Sequence, residues 1–152
     1  MSVTEEMVCF SLYAAARATT QAYRTLLAPW GLTYPQYLVL AVLWLDGEQS
    51  IGSLGQAMQL DSGTLSPLVR RLEQAGLVSR SRRSDDERVV LVQTTEKGAA
   101  LRAELAPLHR RITELSGIHD DAHRRQLIAE LQDITTRLQH SSDTTAAAHP
   151  AH

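Results

Sequence analysis

Apolar residues recur at helical spacing over most of the chain, and the places where the spacing fails mark the turns. Cys9, Tyr13, Ala16, Thr20, Tyr23 and Leu27 follow one another three or four residues apart, one stripe of a long first helix. Ser2 and Glu5 have capping-box spacing and predict its start near Val3; Pro29 and Gly31 end it. Thr33 and Gln36 form a second capping box, Leu32 and Tyr37 have the spacing of a hydrophobic staple, and Pro35 falls in the first turn, where a missing N–H does little harm. That helix runs to about Leu45 and stops at Asp46-Gly47. Ser50 can cap a short third helix with Ile51, Leu54 and Met58 on its apolar side. After a turn at Gln59-Leu60, the cluster Asp61-Ser62-Gly63-Thr64 opens a fourth helix that ends at Ala75 with Gly76 as a left-handed cap. Pro67 costs less behind a cap at Thr64 than behind one at Asp61.

The period then changes. Leu77 to Arg82 and Arg88 to Gln93 are short, partly β-branched segments on either side of the polar turn Arg83-Ser84-Asp85-Asp86-Glu87, which predicts a β-hairpin with a charged tip. Thr95 starts a long helix with Leu101, Leu105, Leu108, Ile112 and Leu115 at coiled-coil spacing; Gly117 breaks it, and a last helix carries Leu127, Leu131, Ile134 and Leu138. Residues 141–152 lack large apolar side chains and are expected to be disordered. The order of short helix, tight turn, second helix and hairpin predicts a mainly α fold with a small β-hairpin wing, a winged helix-turn-helix. The expected organisation is one domain over 1–140: a winged lobe at about 33–94, with dimerisation helices at about 3–28 and 95–140.

Composition changes this picture little. A chain of 152 residues, 43% hydrophobic and 21% charged, has material for a real core and matches one domain. The longest apolar run, Leu38 to Leu45, is far short of the ~20 residues a membrane span needs, and the first six residues do not read as a signal peptide, so a cytoplasmic protein without membrane association is expected. One cysteine excludes a disulfide framework within the chain.

Charge changes it more. Although the net charge is -2, five arginines (Arg70, Arg71, Arg80, Arg82 and Arg83) and a single acid, Glu73, lie between Ser62 and Arg83. A basic window on the predicted helix-turn-helix and wing points to double-stranded DNA. Ser62, Thr64 and Ser66 sit at the start of the fourth helix, where hydroxyls and the helix N-terminus can meet bases or phosphates, and Arg70 and Arg71 follow. Arg82, Arg83 and Arg88 are the candidates for an adjacent minor groove. Asp86, two residues before Arg88, is expected to hold that guanidinium by a bidentate pair.

Asp61-Ser62-Gly63-Thr64-Leu65-Ser66-Pro67-Leu68, Leu72-Glu73-Gln74-Ala75-Gly76-Leu77, Asp86-Glu87-Arg88 and Thr95-Glu96-Lys97-Gly98 resemble the MarR family of bacterial transcription regulators. The resemblance covers about Met7 to Leu138. It implies a homodimer made by the first and last two helices, with two winged lobes on a palindromic operator.

Cys9 remains. A lone cysteine on a helix is commonly a buried core residue. Here it is accompanied by Tyr13 one turn on, and by Tyr23, Tyr34 and Tyr37, in a chain with one phenylalanine. Phenol hydroxyls and a helix N-terminus both stabilise a thiolate, the form that attacks peroxides. Tyr23 is 14 residues from Cys9, or ~21 Å along one helix, so it can reach only the sulfur of a second subunit. Cys9-Phe10-Ser11-Leu12-Tyr13-Ala14-Ala15, Ala22-Tyr23-Arg24 and Leu32-Thr33-Tyr34-Pro35-Gln36-Tyr37 closely resemble the OhrR branch of the MarR family, repressors that sense organic hydroperoxides. The resemblance implies Cys9 as the peroxidatic thiol, with Tyr23 and Tyr34 bonding to it from the partner chain. It also implies a one-cysteine chemistry, in which the sulfenate is either capped by a low-molecular-weight thiol or over-oxidised and the operator is released.

The alternative is a repressor released by a small phenolic or drug-like ligand, with Cys9 only structural. A thiol enzyme is not expected, because no histidine precedes His109 and no sequence-local base accompanies the sulfur. No cofactor is implied. His119 and His123 have zinc-compatible spacing but read as a solvated helix start, and no metal is expected.

Overall fold

The computed structural model describes residues 3–148. The chain falls into two compact units, Met1–His109 and Arg110–His152. A 3-10 turn, Val3–Glu6, precedes α1 (Val8–Leu27). The first helix thus begins five residues after the predicted start, on a Met7 cap that makes no side-chain hydrogen bond, and Ser2 lies outside the described residues. A second 3-10 turn, Ala28–Trp30, closes on Gly31 at φ 65°, a left-handed residue as the Pro-Gly signal requires.

α2 (Tyr34–Asp46) starts on the predicted capping box, with Thr33 and Gln36 exchanging both hydrogen bonds. α3 (Ile51–Met58) starts on Ser50, whose hydroxyl accepts from the Ser53 N–H at 3.0 Å. α4 (Ser62–Gln74) starts on Asp61, one turn earlier than Pro67 favoured. The Asp61 carboxylate takes the Thr64 N–H at 2.7 Å, and the Asp61 carbonyl takes the Leu65 N–H at 3.0 Å. The carbonyl that Pro67 leaves without its helical donor belongs to exposed Gly63, so the proline costs less than in a buried turn. α4 ends in a Schellman motif: Gly76 (φ 73°) donates to the Glu73 carbonyl and Leu77 to that of Leu72.

The hairpin is β2 (Val78–Arg82) and β3 (Val90–Thr94), antiparallel with Arg80 opposite Val92. Sequence reading missed a third strand. β1, only Gln49–Ser50, pairs antiparallel with β3 and gives the sheet order β1-β3-β2. Leu40, Leu54, Leu65, Val69, Leu72, Val78 and Val92 are fully buried and make the core that joins α2, α3 and α4 to the sheet.

α5 (Glu96–Ser116) was expected to leave the lobe at Thr95. Its first half instead belongs to the lobe, with Gly98, Leu101, Leu105 and Leu108 buried, and the chain divides after His109. In the second unit Gly117 (φ 70°) ends α5, and Asp120 caps α6 (Asp121–Ala148) by accepting from the His123 N–H at 2.7 Å. α6 continues past Ser141, where a disordered tail was expected to begin. Ser141 and Ser142 return their hydroxyls to the Leu138 carbonyl, and Ala146 to Ala148 favour helix strongly. Residues 149–152 lie outside the described residues. Among those described, no single helix is long and apolar enough to cross a membrane.

Candidate functional site

Helical geometry sorts the predicted residues of α4 into two sets. Ser62, Ser66 and Arg70, four residues apart, line one side together with Glu73. That side meets the wing: Glu73 Oε2 accepts from Arg80 Nε at 2.9 Å and pairs with Arg80 Nη2 at 2.8 Å. The hydrogen bond from Arg80 holds the Glu73 carboxyl below the usual carboxylate range, with a lesser contribution from Arg70. Thr64 and Arg71, seven residues apart, line the other side. Arg71 borders a cleft of about 240 Å³ with Trp30, Gln36 and Lys97, away from the hairpin. Ser62, Thr64, Arg70 and Arg71 are exposed and Ser66 is half-buried. The Glu73–Arg80 tie was not anticipated; its signal was an acid and a base seven residues apart across the Schellman turn.

The three wing arginines are not equivalent. Arg82 Nη1 donates to the Glu87 carbonyl at 2.7 Å, and Arg83 Nε pairs with Asp85 Oδ1 at 2.6 Å. Both hold the tip together. Asp86 does not make the expected bidentate pair. Its Oδ1 accepts the Arg88 backbone N–H at 3.1 Å and stands 3.5 Å from Arg88 Nε. Two residues of separation in a tight turn put the backbone N–H closer than the guanidinium, so Asp86 shapes the turn instead. The Arg88 side chain is 95% exposed and projects from the tip.

Cys9 lies on the second residue of α1, in its first turn, and is exposed within one chain. It is not a core cysteine of this fold. Of its predicted stripe only Tyr23 and Leu27 are buried. Met7, Val8, Phe10 and Tyr13 also lie open, with Arg17 over the Tyr13 ring at 5.6 Å.

Tyr23 and Tyr34 come together where α1 meets α2, their rings stacked with centroids 3.9 Å apart. Tyr37 lies 5.6 Å from Tyr23, and Trp44 meets Tyr37 edge-on at 6.2 Å. Burial, reinforced by Tyr34 and Tyr37, pushes the Tyr23 phenol up to about 12. Burial also raises Tyr34 and Tyr37. The Tyr34 hydroxyl also raises Tyr23, and Tyr23 in turn lowers Tyr34.

A titration follows from this. A group raised on folding stabilises the fold below its unfolded value, near 10, and loses that contribution as pH rises through the folded one. Thermal stability is therefore expected to fall between about pH 10 and 12 in wild type. The fall should be shallower in Tyr23→Phe, measured by Tm against pH; equal slopes would mean that Tyr23 is not held neutral.

Residues 21–105 match the family model for the transcriptional regulator SarA/Rot. The chain belongs to this family of MarR-like transcriptional regulators. It is 42% identical over 141 residues to the HTH-type transcriptional regulator TtmR of Methylorubrum extorquens, covering 93% of this chain and 72% of that one. It is 43% identical over 112 residues to the organic hydroperoxide resistance transcriptional regulator of Bacillus subtilis, covering 74% and 76%. AbfR, described from Staphylococcus epidermidis, has the same fold: its reduced form bound to DNA superposes with a TM-score of 0.77 at 32% identity, covering 86% of this chain and 91% of AbfR. The overoxidized form of AbfR, also bound to DNA, gives 0.68 at 33%, with the same coverage. These family members are described as regulators of transcription.

Proposed function

We propose that this regulator is a homodimeric, cytoplasmic repressor that binds a palindromic operator and releases it when an organic hydroperoxide oxidises Cys9. The observation that carries the reading is the separation of two matched parts. An exposed thiol sits in the first turn of α1, and a stacked phenol pair, Tyr23 buried and Tyr34 half-buried, both held protonated, sits at that helix's far end. A twofold arrangement of α1 brings the far end of one helix to the near end of its partner. Tyr23 and Tyr34 then donate to the partner subunit's Cys9 and stabilise its thiolate. The open apolar face of Met7, Val8, Phe10 and Tyr13 supports the same pairing. The identity to a hydroperoxide resistance regulator supports the oxidant. Since overoxidized AbfR is described on DNA, the releasing form proposed here is the thiol-capped sulfenate rather than further oxidation. The test is operator binding by gel shift, with and without organic hydroperoxide, on wild type and Cys9→Ser, beside a light-scattering mass; a monomer at micromolar concentration would remove the cross-subunit thiol site.

DNA is contacted by the α4 side carrying Ser62, Ser66 and Arg70, with Thr64 and Arg71 on the flank and Arg88 at the wing tip. Arg88→Ala is expected to weaken operator binding and to lower the salt slope by about one without loss of Tm. Arg82→Ala and Arg83→Ala act differently, by loosening the tip that presents Arg88. An unchanged affinity and slope for Arg88→Ala would mean that the wing does not touch DNA.

A second reading has one observation in its favour. Tyr23, Tyr37, Trp44, Arg102 and His109 border a cleft of about 500 Å³. An aromatic acid of that size would be held by ring stacking and the Arg102 cation. Operator release by such a ligand in Cys9→Ser would favour this reading over oxidation.

A further inference from the structure

We propose that Trp44 is a positioning residue of the switch, coupling the tyrosine pair to the seat of the wing. The inference rests on the redox reading and says how a change at the tyrosines reaches DNA. Trp44 lies two turns beyond Tyr37 on α2 and closes an unbroken aromatic series, Tyr34, Tyr23, Tyr37 and Trp44. Such rings cannot shift singly, since each is in contact with the next.

Past Trp44 the contacts become polar and lead into α5. Trp44 Nε1 donates to the Gly98 carbonyl at 2.9 Å, and Arg102 Nη1 donates to the Trp44 carbonyl at 2.9 Å. Gly98 is no ordinary helical position. Its Cα packs so closely on the Leu77 carbonyl that no side chain fits. Leu77 is the last residue of the α4 cap and the first before β2. The same junction is tied twice more: Thr95 Oγ1 donates to the Gly76 carbonyl at 2.6 Å, and Lys97 Nζ to the Ala75 carbonyl at 2.9 Å. The recognition helix and the wing therefore diverge from a point fixed to the first turn of α5, and Trp44 grips that turn at Gly98. When Tyr34 and Tyr23 lose their hold on the modified sulfur, the ring series shifts and the grip shifts with it. The angle between α4 and the wing then no longer fits successive grooves.

Trp44→Phe keeps an aromatic ring against Tyr37 and removes the Nε1–H donor along with part of the indole. The experiment measures operator Kd for reduced and thiol-capped protein, with Cys9 modification counted by intact mass. The variant is expected to be modified at the wild-type rate and to bind operator when reduced. The ratio of oxidised to reduced Kd should shrink by about fivefold or more, the low end of typical coupling. If wild type keeps its operator when capped, the redox reading and this one fall together. If wild type responds and Trp44→Phe responds as strongly, the coupling alone falls.

A second measurement does not depend on that variant folding. The chain has two tryptophans, so Trp30→Phe leaves Trp44 as the only indole. Its emission is expected to change when Cys9 is capped; a spectrum that stays the same while operator is released would overturn the proposal.

Discussion

Cys9→Ser should bind operator as tightly as reduced wild type and keep that affinity in organic hydroperoxide, where wild type loses about 100-fold. The chemistry requires a thiolate. The sulfur attacks one peroxide oxygen, an S–O bond forms as the O–O bond breaks, and the alkoxide leaves as the alcohol after taking a proton. A small thiol then displaces the sulfenic hydroxyl as water, leaving a mixed disulfide. Serine is nearly the size of cysteine, but its hydroxyl does not ionise near neutral pH and cannot begin the sequence. A 100-fold loss is about 2.7 kcal/mol, within reach of two hydrogen bonds to a charged sulfur, each worth about 1.5–3 kcal/mol. Tyr23→Phe should fall between the two proteins. It keeps the ring stacked on Tyr34 but removes one of the two phenol donors to the sulfur, so operator binding persists and the hydroperoxide response slows. If Cys9→Ser releases operator with wild-type sensitivity, oxidation elsewhere or the aromatic cleft governs the response.

The caps were the most legible part of the sequence, because a cap is a local bargain between neighbouring residues. Thr33 with Gln36, Ser50 and Gly76 all act where their spacing predicts. The open choices and the misses fell where distant chain decides. Asp61 rather than Thr64 caps α4, because buried Leu65 and Val69 hold the helix in the core and the exposed end absorbs the proline. β1 has only two residues, too few for a period, and exists because β3 lies beside it.

The site followed the same division. The candidate arginines and phenols were visible as residue types, but their partners were not. That Arg82 and Arg83 serve the tip while Arg88, only loosely paired with Asp86, stays exposed depends on the fold of the turn. Trp44 escaped notice because no local pattern marks a residue whose partner, Gly98, is 54 positions away. The Ser2–Glu5 spacing suggested a start near Val3 that the chain does not use, so Cys9 lies nearer the helix N-terminus than that start implies.

Gly98→Ala should be the most damaging single methyl that can be added to this protein's lobe. The helix geometry at this position suits alanine better than glycine, so propensity alone predicts a gain of up to about 1 kcal/mol. Packing reverses the sign. An alanine Cβ would run into the Leu77 carbonyl, a backbone atom that cannot rotate aside. That carbonyl also accepts the Thr95 N–H at 3.1 Å, so moving it breaks the cap that starts α5. Relief requires α5 to lift from the root of the wing, which lengthens the Trp44 bond to Gly98 and uncovers fully buried Val78. Overpacking of this kind costs about 3 kcal/mol, near the top of the usual range, or roughly 10 °C in Tm for a chain of this size. Operator affinity should fall with it, because the wing leaves α4 from this junction. Gly52→Ala is the matched control. It is also helical and exposed, its nearest neighbour is the Ser50 hydroxyl at 3.8 Å, and it should hold or raise the Tm. Equal melting temperatures for the two variants would show that α5 is not seated on Leu77 as described.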